Sequence, residues 1–302
     1  MSDDLLFRGF APALLTPFAN GDVDLPAFRR LIAHQLDGGV DALVVLGTTG
    51  ENPTVTDDER RRLVDTAVDA ADGRVPVIVG TGTNSTAQSV TYSREAAAAG
   101  ADGLLVVGPY YNKPSQSGFA AHVERIAAAT NLPILLYNVP GRTSFNIAPD
   151  TVLHLAETVP TVRGVKEASG DPSQIADLLA DRPDGFAVYA GDDEMTLPLL
   201  AMGGDGVVSV VSNALPGAFR QLVTAGLDED IATARAHHFR LLSAMRACFY
   251  ATNPVPIKTV CAALGLMRET LRLPLVPLDA DSPIRERILA AFNPHVNIDL
   301  GA

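Results

Sequence analysis

Leu132-Pro133-Ile134-Leu135-Leu136-Tyr137-Asn138, followed by Thr161-Val162-Arg163-Gly164-Val165-Lys166-Glu167, is the stretch whose reading decides the fold. Each segment is a short apolar run that ends on polar residues, and each is shorter than an ordinary helix. Working outward in both directions, comparable runs lie at residues 10–15, 42–47, 75–80, 103–108, 186–191 and 206–210, which makes eight. Amphipathic stretches separate them, at 57–71, 86–99 and 118–130. In the first of these Leu63, Val64, Ala67 and Val68 recur at helical spacing. Strands apolar on both faces that alternate with helices form a parallel sheet. Eight such units point to a closed (β/α)8 TIM barrel, because a doubly wound sheet has fewer strands and carries a nucleotide fingerprint.

After residue 228 the pattern changes to helices alone, at 230–247, 256–264 and 282–292. The expected organisation is a barrel over residues 1–227 with a C-terminal helical extension over 228–302 packed on it. No linker-like composition separates them, so one structural unit is expected.

The chain of 302 residues is 47% hydrophobic and 19% charged, as in a globular protein, and no window is apolar enough for a membrane span. Its net charge of −12 argues against nucleic acid, which requires a basic face. Asp outnumbers Glu, 25 to 10, and Arg outnumbers Lys, 20 to 3. A surface adapted to high salt and a GC-rich genome both produce that bias. Met1-Ser2-Asp3-Asp4 is acidic where a secretory signal would be basic, so the cytoplasm is the expected address. Cys248 and Cys261 read as buried free thiols.

In a barrel the reactive groups gather at the carboxyl ends of the strands. Those ends carry Gly47-Thr48-Thr49-Gly50-Glu51, Tyr110-Tyr111-Asn112, Tyr137-Asn138, Lys166-Glu167, Gly191-Asp192-Asp193 and Ser209. Lys166 is the centre of the set. Strand alternation puts Val162, Gly164 and Lys166 on one face, and an interior face would give the amine an apolar cup that favours its neutral form, a nucleophile for a ketone. A lysine at a strand end more often reaches for solvent, but only Lys113 and Lys258 share its chemistry here. Lys113 is expected in solvent, and Lys258 at the entrance among the C-terminal helices. Tyr137 closes the preceding strand and is placed beside Lys166. A lone tyrosine is ordinarily a core residue, but with Thr49 and Tyr111 at the same rim a proton relay can be built.

Gly47-Thr48-Thr49-Gly50 forms a tight turn whose amides and hydroxyls suit a carboxylate. It lacks the phosphate-loop pattern, and Gly80-Thr81-Gly82 lacks the third glycine of a dinucleotide fingerprint. Asp192-Asp193-Glu194 reads as an acidic helix start, not a metal site, and His237-His238 as surface. No metal or cofactor is expected, and the six histidines are too scattered for a metal-dependent aldolase.

Seven segments, in order along the chain, carry a resemblance. They are Gly47-Thr48-Thr49-Gly50-Glu51, Gly108-Pro109-Tyr110-Tyr111-Asn112-Lys113-Pro114, Tyr137-Asn138-Val139-Pro140-Gly141-Arg142-Thr143, Gly164-Val165-Lys166-Glu167-Ala168-Ser169-Gly170, Gly191-Asp192-Asp193, Gly206-Val207-Val208-Ser209-Val210 and Asn253-Pro254-Val255-Pro256-Ile257-Lys258. With them the chain resembles the dihydrodipicolinate synthase family, within the wider N-acetylneuraminate lyase superfamily. The resemblance implies condensation of pyruvate with L-aspartate 4-semialdehyde, on the way to lysine and diaminopimelate. It implies that Lys166 forms a Schiff base with pyruvate, that Tyr137 shuttles protons, and that Thr49 relays together with Tyr111 from a neighbouring subunit of a homotetramer. Thr48 and Thr49 would hold the pyruvate carboxylate, with Gly191 and the Val208 carbonyl nearby, and Arg142 would take the carboxylate of the aldehyde. Sugar-acid aldolases of the superfamily use the same lysine and tend to lack an arginine at the position of Arg142, which favours the synthase.

Many members of the family are inhibited by lysine at the tight-dimer interface. In the lysine-sensitive ones a glutamate stands at the position of Gln88, beside residues matching Asn84 and Tyr110, and some members have histidines where Asp57 and Arg60 stand here. The neutral Gln88, with Arg60 expected to repel the cationic ligand, implies weak lysine inhibition.

Overall fold

The structure, a computed structural model, describes residues 5–296. Eight parallel strands close a barrel: β1 Gly9–Pro12, β2 Leu43–Val45, β3 Val77–Gly80, β4 Gly103–Val107, β5 Ile134–Asn138, β6 Val162–Glu167, β7 Ala187–Ala190 and β8 Gly206–Ser209. Each pairs in parallel with the next, β8 returns to β1, and an isolated Ala13↔Val44 bridge closes the ring. The strands are shorter than the apolar runs that announced them, because the ends of the runs already turn into loops.

The helices that cover the barrel are α1 Leu25–Asp37, α2 Asp57–Ala71, α3 Thr86–Ala98, α4 Gln116–Ala127, α5 Pro149–Thr158, α6 Pro172–Asp181, α7 Thr196–Ala201 and α8 Pro216–Leu227. Their starts follow local chemistry. Thr56 and Glu59 form a reciprocal capping box on α2, and Ser85, Ser115 and Asp171 cap α3, α4 and α6 through their side-chain oxygens. Three further helices complete the described chain: α9 Ile231–Ala247, α10 Val255–Ala263 and α11 Pro283–Phe292. The architecture is a TIM barrel with C-terminal helices, as the alternation implied.

Period-two alternation divides the apolar residues into two layers. An outer layer, with Phe10, Leu104, Leu136 and Val165, packs under the helices. A smaller inner layer, with Ala11, Val44, Ile78, Leu105, Leu135, Tyr137, Tyr189 and Val208, fills the barrel. At the amino-terminal end the Tyr189 ring stacks on Phe7 at 4.2 Å and its hydroxyl donates to the Phe7 carbonyl at 2.5 Å, which plugs that face. At the β8–β1 seam Gly206 pairs with Gly9, and a Cβ on Gly206 (φ +153°) would stand 1.8 Å from the Gly9 carbonyl oxygen. Only glycine closes the ring there.

The expected common face of Val162, Gly164 and Lys166 is corrected in one respect. Ile134 pairs with Val162, but Leu135 pairs with Gly164, so β6 carries an extra residue at that point. Val162 therefore joins the outer layer, while Tyr137 pairs with Lys166 on the inner face.

Candidate active site

Lys166 reaches the carboxyl end of β6 with only 4% of its surface exposed, and its Nζ lies 4.2 Å from the centroid of the Tyr137 ring. Tyr137 lines a cavity of about 210 Å³ together with Thr48, Tyr110, Arg142 and the backbone of Gly47, Gly80 and Gly82. The strand ends thus bring the tyrosine, the threonine turn and the arginine to one mouth, with Lys166 packed against the ring of Tyr137.

The turn after β2 is held in place by its own hydrogen bonds. Gly50 N donates to Gly47 O and Glu51 N to Thr48 O, both at 3.1 Å, so the donors that the turn offers a carboxylate are those of Thr48 and Thr49. Leu46 (φ +59°) and Glu51 (φ +53°) on either side hold left-handed backbone, a cost of about 1–3 kcal/mol each that surrounding structure sustains at functional sites. Buried Asn253, just before α10, donates from Nδ2 to Thr49 Oγ1 at 3.0 Å, which leaves the Thr49 proton to be donated onward. The Asn253 carbonyl accepts from Arg142 Nη2 at 3.2 Å. One residue of the C-terminal helices therefore bridges the threonine and the arginine. Asn253 was legible only as part of a motif, since nothing local in the sequence marks a contact across the fold.

Arg142 lies on a short helix, Pro140–Thr143, and is exposed toward the cavity. That helix and the end of β6 are anchored by Glu167, which points to the outer layer. Its buried carboxylate accepts from Asn138 Nδ2 (3.0 Å), Gln174 Nε2 (2.8 Å) and Ser169 N (2.6 Å). A carboxylate immediately after the lysine was the available signal, and its partners lie at the end of β5, in the turn after β6 and on α6.

Gly191 closes the back of the site. A Cβ there would stand 2.6 Å from Ala168 Cβ and 3.1 Å from both Glu167 O and Lys166 Cε. Val208 faces the barrel interior on β8, and the segment after it is held by Asp193, whose Oδ2 accepts from Val210 N (3.1 Å) and Val211 N (2.8 Å). Burial lifts the Asp193 carboxyl to about 6 and raises that of neighbouring Asp192, which the Lys166 charge pulls back. Asp192 caps a short 3₁₀ turn, so this acidic group does start a helical segment, but Asp193 is a buried strut within it. Among the described residues no three His, Cys, Asp or Glu side chains gather as a metal-binding group.

Other expected positions fall differently. Tyr111 is 91% exposed, with φ +70°, and does not line its own chain's cavity. Lys113 is exposed, as expected, and Cys248 and Cys261 are buried free thiols. Lys258 is not at the entrance: its side chain is wholly buried in an ion pair with Glu51. His238 is buried against α9's inner side instead of on the surface, and His237 is half-buried. Asn84, Gln88 and Tyr110 are half-buried, whereas Arg60 presents no exposed charge. It is buried, donates to Gly80 O at 2.8 Å and to Asn52 Oδ1, and its guanidinium lies 3.9 Å from the Tyr92 ring centroid. Asp57 accepts from the Tyr92 hydroxyl at 2.7 Å.

The sequence profile described as the Dihydrodipicolinate synthetase family matches residues 6–289. The chain belongs to that family. It is 72% identical over 299 residues to the 4-hydroxy-tetrahydrodipicolinate synthase of Salinibacter ruber (strain DSM 13855 / M31), covering 99% of both chains. Among solved structures it is similar to dihydrodipicolinate synthase from Thermotoga maritima, with a TM-score of 0.94, 42% identity, and 96% and 99% of the two chains covered. A dihydrodipicolinate synthase variant described as the first monomeric one gives a TM-score of 0.93 at 42% identity, over 95% and 96% of the chains. Family membership fits the geometry: six of the seven motifs fall on or beside the carboxyl ends of strands, and the seventh, Asn253 to Lys258, opens α10 and reaches Thr49 and Arg142 through Asn253.

The close approach at Gly191 yields a test. Gly191→Ala must displace Lys166 or Ala168, and a misplacement of the order of 1 Å costs up to ~10²-fold in rate. The variant is expected to fold, by circular dichroism, and to lose about that factor in initial rate. Wild-type rates would show that Lys166 tolerates the displacement.

Proposed function

We propose that the chain condenses pyruvate with L-aspartate 4-semialdehyde to 4-hydroxy-tetrahydrodipicolinate, through an imine on Lys166. The observation that carries this reading is the pairing of Lys166 with Tyr137 on the inner face of the barrel, at a mouth that also holds Arg142. The lysine amine adds to the pyruvate ketone, and the carbinolamine loses water to give the imine. Loss of a methyl proton then gives an enamine whose carbon attacks the aldehyde. The amine brought by the semialdehyde then adds to the imine carbon, closing the ring and displacing the Lys166 amine, so that the water lost at imine formation is the one water the reaction releases. Tyr137 moves protons in these steps, through the outward-donating Thr49 hydroxyl and Tyr111 of a neighbouring subunit. Thr48 and Thr49 hold the pyruvate carboxylate, with the Val208 carbonyl and Gly191 beside it, and the Arg142 fork takes the carboxylate of the aldehyde. The reaction needs no cofactor, because the substrate imine is itself the electron sink.

The assembly proposed is a homotetramer built of two tight dimers, in which Tyr111, exposed and outside its own chain's cavity, crosses to the partner. The address proposed for the enzyme is the cytoplasm; among the described residues no helix is long and apolar enough to cross a membrane.

Borohydride with pyruvate should leave a reduced three-carbon adduct on the peptide carrying Lys166, and Lys166→Ala should lose it along with essentially all turnover. An active preparation whose Lys166 stays unmodified would end the imine mechanism.

Arg142→Ala should leave that trapping intact and lower kcat/KM for the aldehyde by roughly 10² or more, since a charge-assisted fork is worth a few kcal/mol. Near wild-type kinetics would move the reading to a sugar-acid aldehyde as the second substrate.

Lysine should inhibit weakly. With Arg60 turned inward and Asp57 engaged by Tyr92, the neutral Gln88 decides the matter, and a missing carboxylate costs a cationic ligand about 1.5 to 3 kcal/mol, or roughly 10- to 100-fold. Gln88→Glu should strengthen inhibition when lysine is titrated against initial rate. Half-inhibition of the unmodified enzyme below about a millimolar would contradict this reading of the pocket.

A further inference from the structure

The turn Gly47–Gly50 runs directly into Glu51, whose side chain is 1% exposed. Its Oε1 lies 2.5 Å from Lys258 Nζ on α10, where the lysine side chain is wholly buried, and its Oε2 accepts from Arg272 N at 3.1 Å. Lys258 also donates to Thr270 O at 2.8 Å. Both cations flank the ring of Phe18, Lys258 Nζ at 4.3 Å and the Arg272 guanidinium at 4.2 Å from its centroid. Arg272 goes on to Thr54 O and to Glu59 at the start of α2.

A buried ion pair is poor evidence of stability, because apolar residues of the same volume serve as well or better. Burial lowers the Lys258 ammonium to about 8 even with Glu51 pulling the other way. Such a pair does offer a fixed geometry, and this one sits one residue beyond the threonine turn. We propose that Glu51 and Lys258 act together as positioning residues, fixing the Thr48–Thr49 turn so that α10 sets the affinity for pyruvate. The inference rests on the assignment of that turn to the pyruvate carboxylate.

The test compares Glu51→Gln, Lys258→Met and the double variant with the unmodified enzyme. The readouts are the pyruvate concentration that half-saturates borohydride trapping on Lys166, and KM for the aldehyde at saturating pyruvate. Each single variant is expected to raise the pyruvate concentration about tenfold or more, in the range that slight misplacement of binding groups produces. The double variant is expected to be no worse than the poorer single one, because residues that act as a unit are not additive. KM for the aldehyde and the amount trapped at saturation should stay within about twofold. A folded double variant with unchanged pyruvate half-saturation overturns the proposal. So does a double variant that cannot fold although both charges are gone, since the pair would then be a determinant of folding. Absence of trapping in the unmodified enzyme would sink the imine reading first, and this inference with it.

Discussion

The extra residue in β6 decides which way Lys166 points. Neighbouring residues of parallel strands share a face, and a shift of one residue exchanges inside for outside. Had the pairing run on regularly from Ile134↔Val162, Tyr137 would face Val165, and Lys166 would pair with Asn138 in the outer layer. The shift at Leu135↔Gly164 turns Val165 outward and Lys166 inward, beside the Tyr137 ring. Every other group at the mouth has meaning only relative to that amine.

The same shift gives two consecutive residues different tasks. Lys166 enters the barrel, and Glu167 necessarily leaves it, into the layer where Asn138, Gln174 and the Ser169 amide meet it. A buried carboxylate is tolerable only when its lone pairs are satisfied, and here three donors, from the end of β5, the turn after β6 and α6, do so. The loop that carries Arg142 and the strand that carries Lys166 thus share one anchor beneath the floor of the site. On the other side Asn253 ties Thr49 to Arg142. The walls of the mouth are cross-braced by side chains that the substrates need never touch.

The barrel was legible because its signal is repetitive and local: eight apolar runs, helices between them, and reactive residues at the run ends. Lys166, Tyr137 and Thr48 followed from that rule, as each sits at or just past the end of a strand, whereas Arg142 followed only from the family resemblance. What could not be read were the contacts made at long range. Lys258 looked like an entrance residue because a lysine prefers water, and its partner Glu51 lies far back in the chain at the end of another run. Arg60 looked like a ligand-facing cation because its position was known and its direction was not. His238 was assigned to the surface from the polarity of its helix, although α9 buries one side. Val162 followed strict alternation, which a bulge breaks without any mark that a single sequence displays.

The chain carries a net charge of −12, yet pyruvate is an anion and the aldehyde also brings a carboxylate. The acidic exterior acts at a distance, where salt of ~0.15 M screens exposed charges beyond about 8 Å. The mouth acts at contact, through Arg142, the Thr48 and Thr49 donors and the apolar walls of Gly47, Leu105 and Val139, which weaken screening. The acids near Lys166 are also moderated. Burial raises Asp192, which also feels the Lys166 charge, and lifts Asp193 to about 6, so both hold their charge less firmly than an ordinary carboxyl. One oxygen of each is committed to backbone amides, that of Asp192 to Glu194 and that of Asp193 to Val210 and Val211. A strongly acidic protein can therefore keep one small opening receptive to anions, provided that its local donors are fixed in place. The Glu51–Lys258 pair beneath the threonine turn is placed to do that fixing.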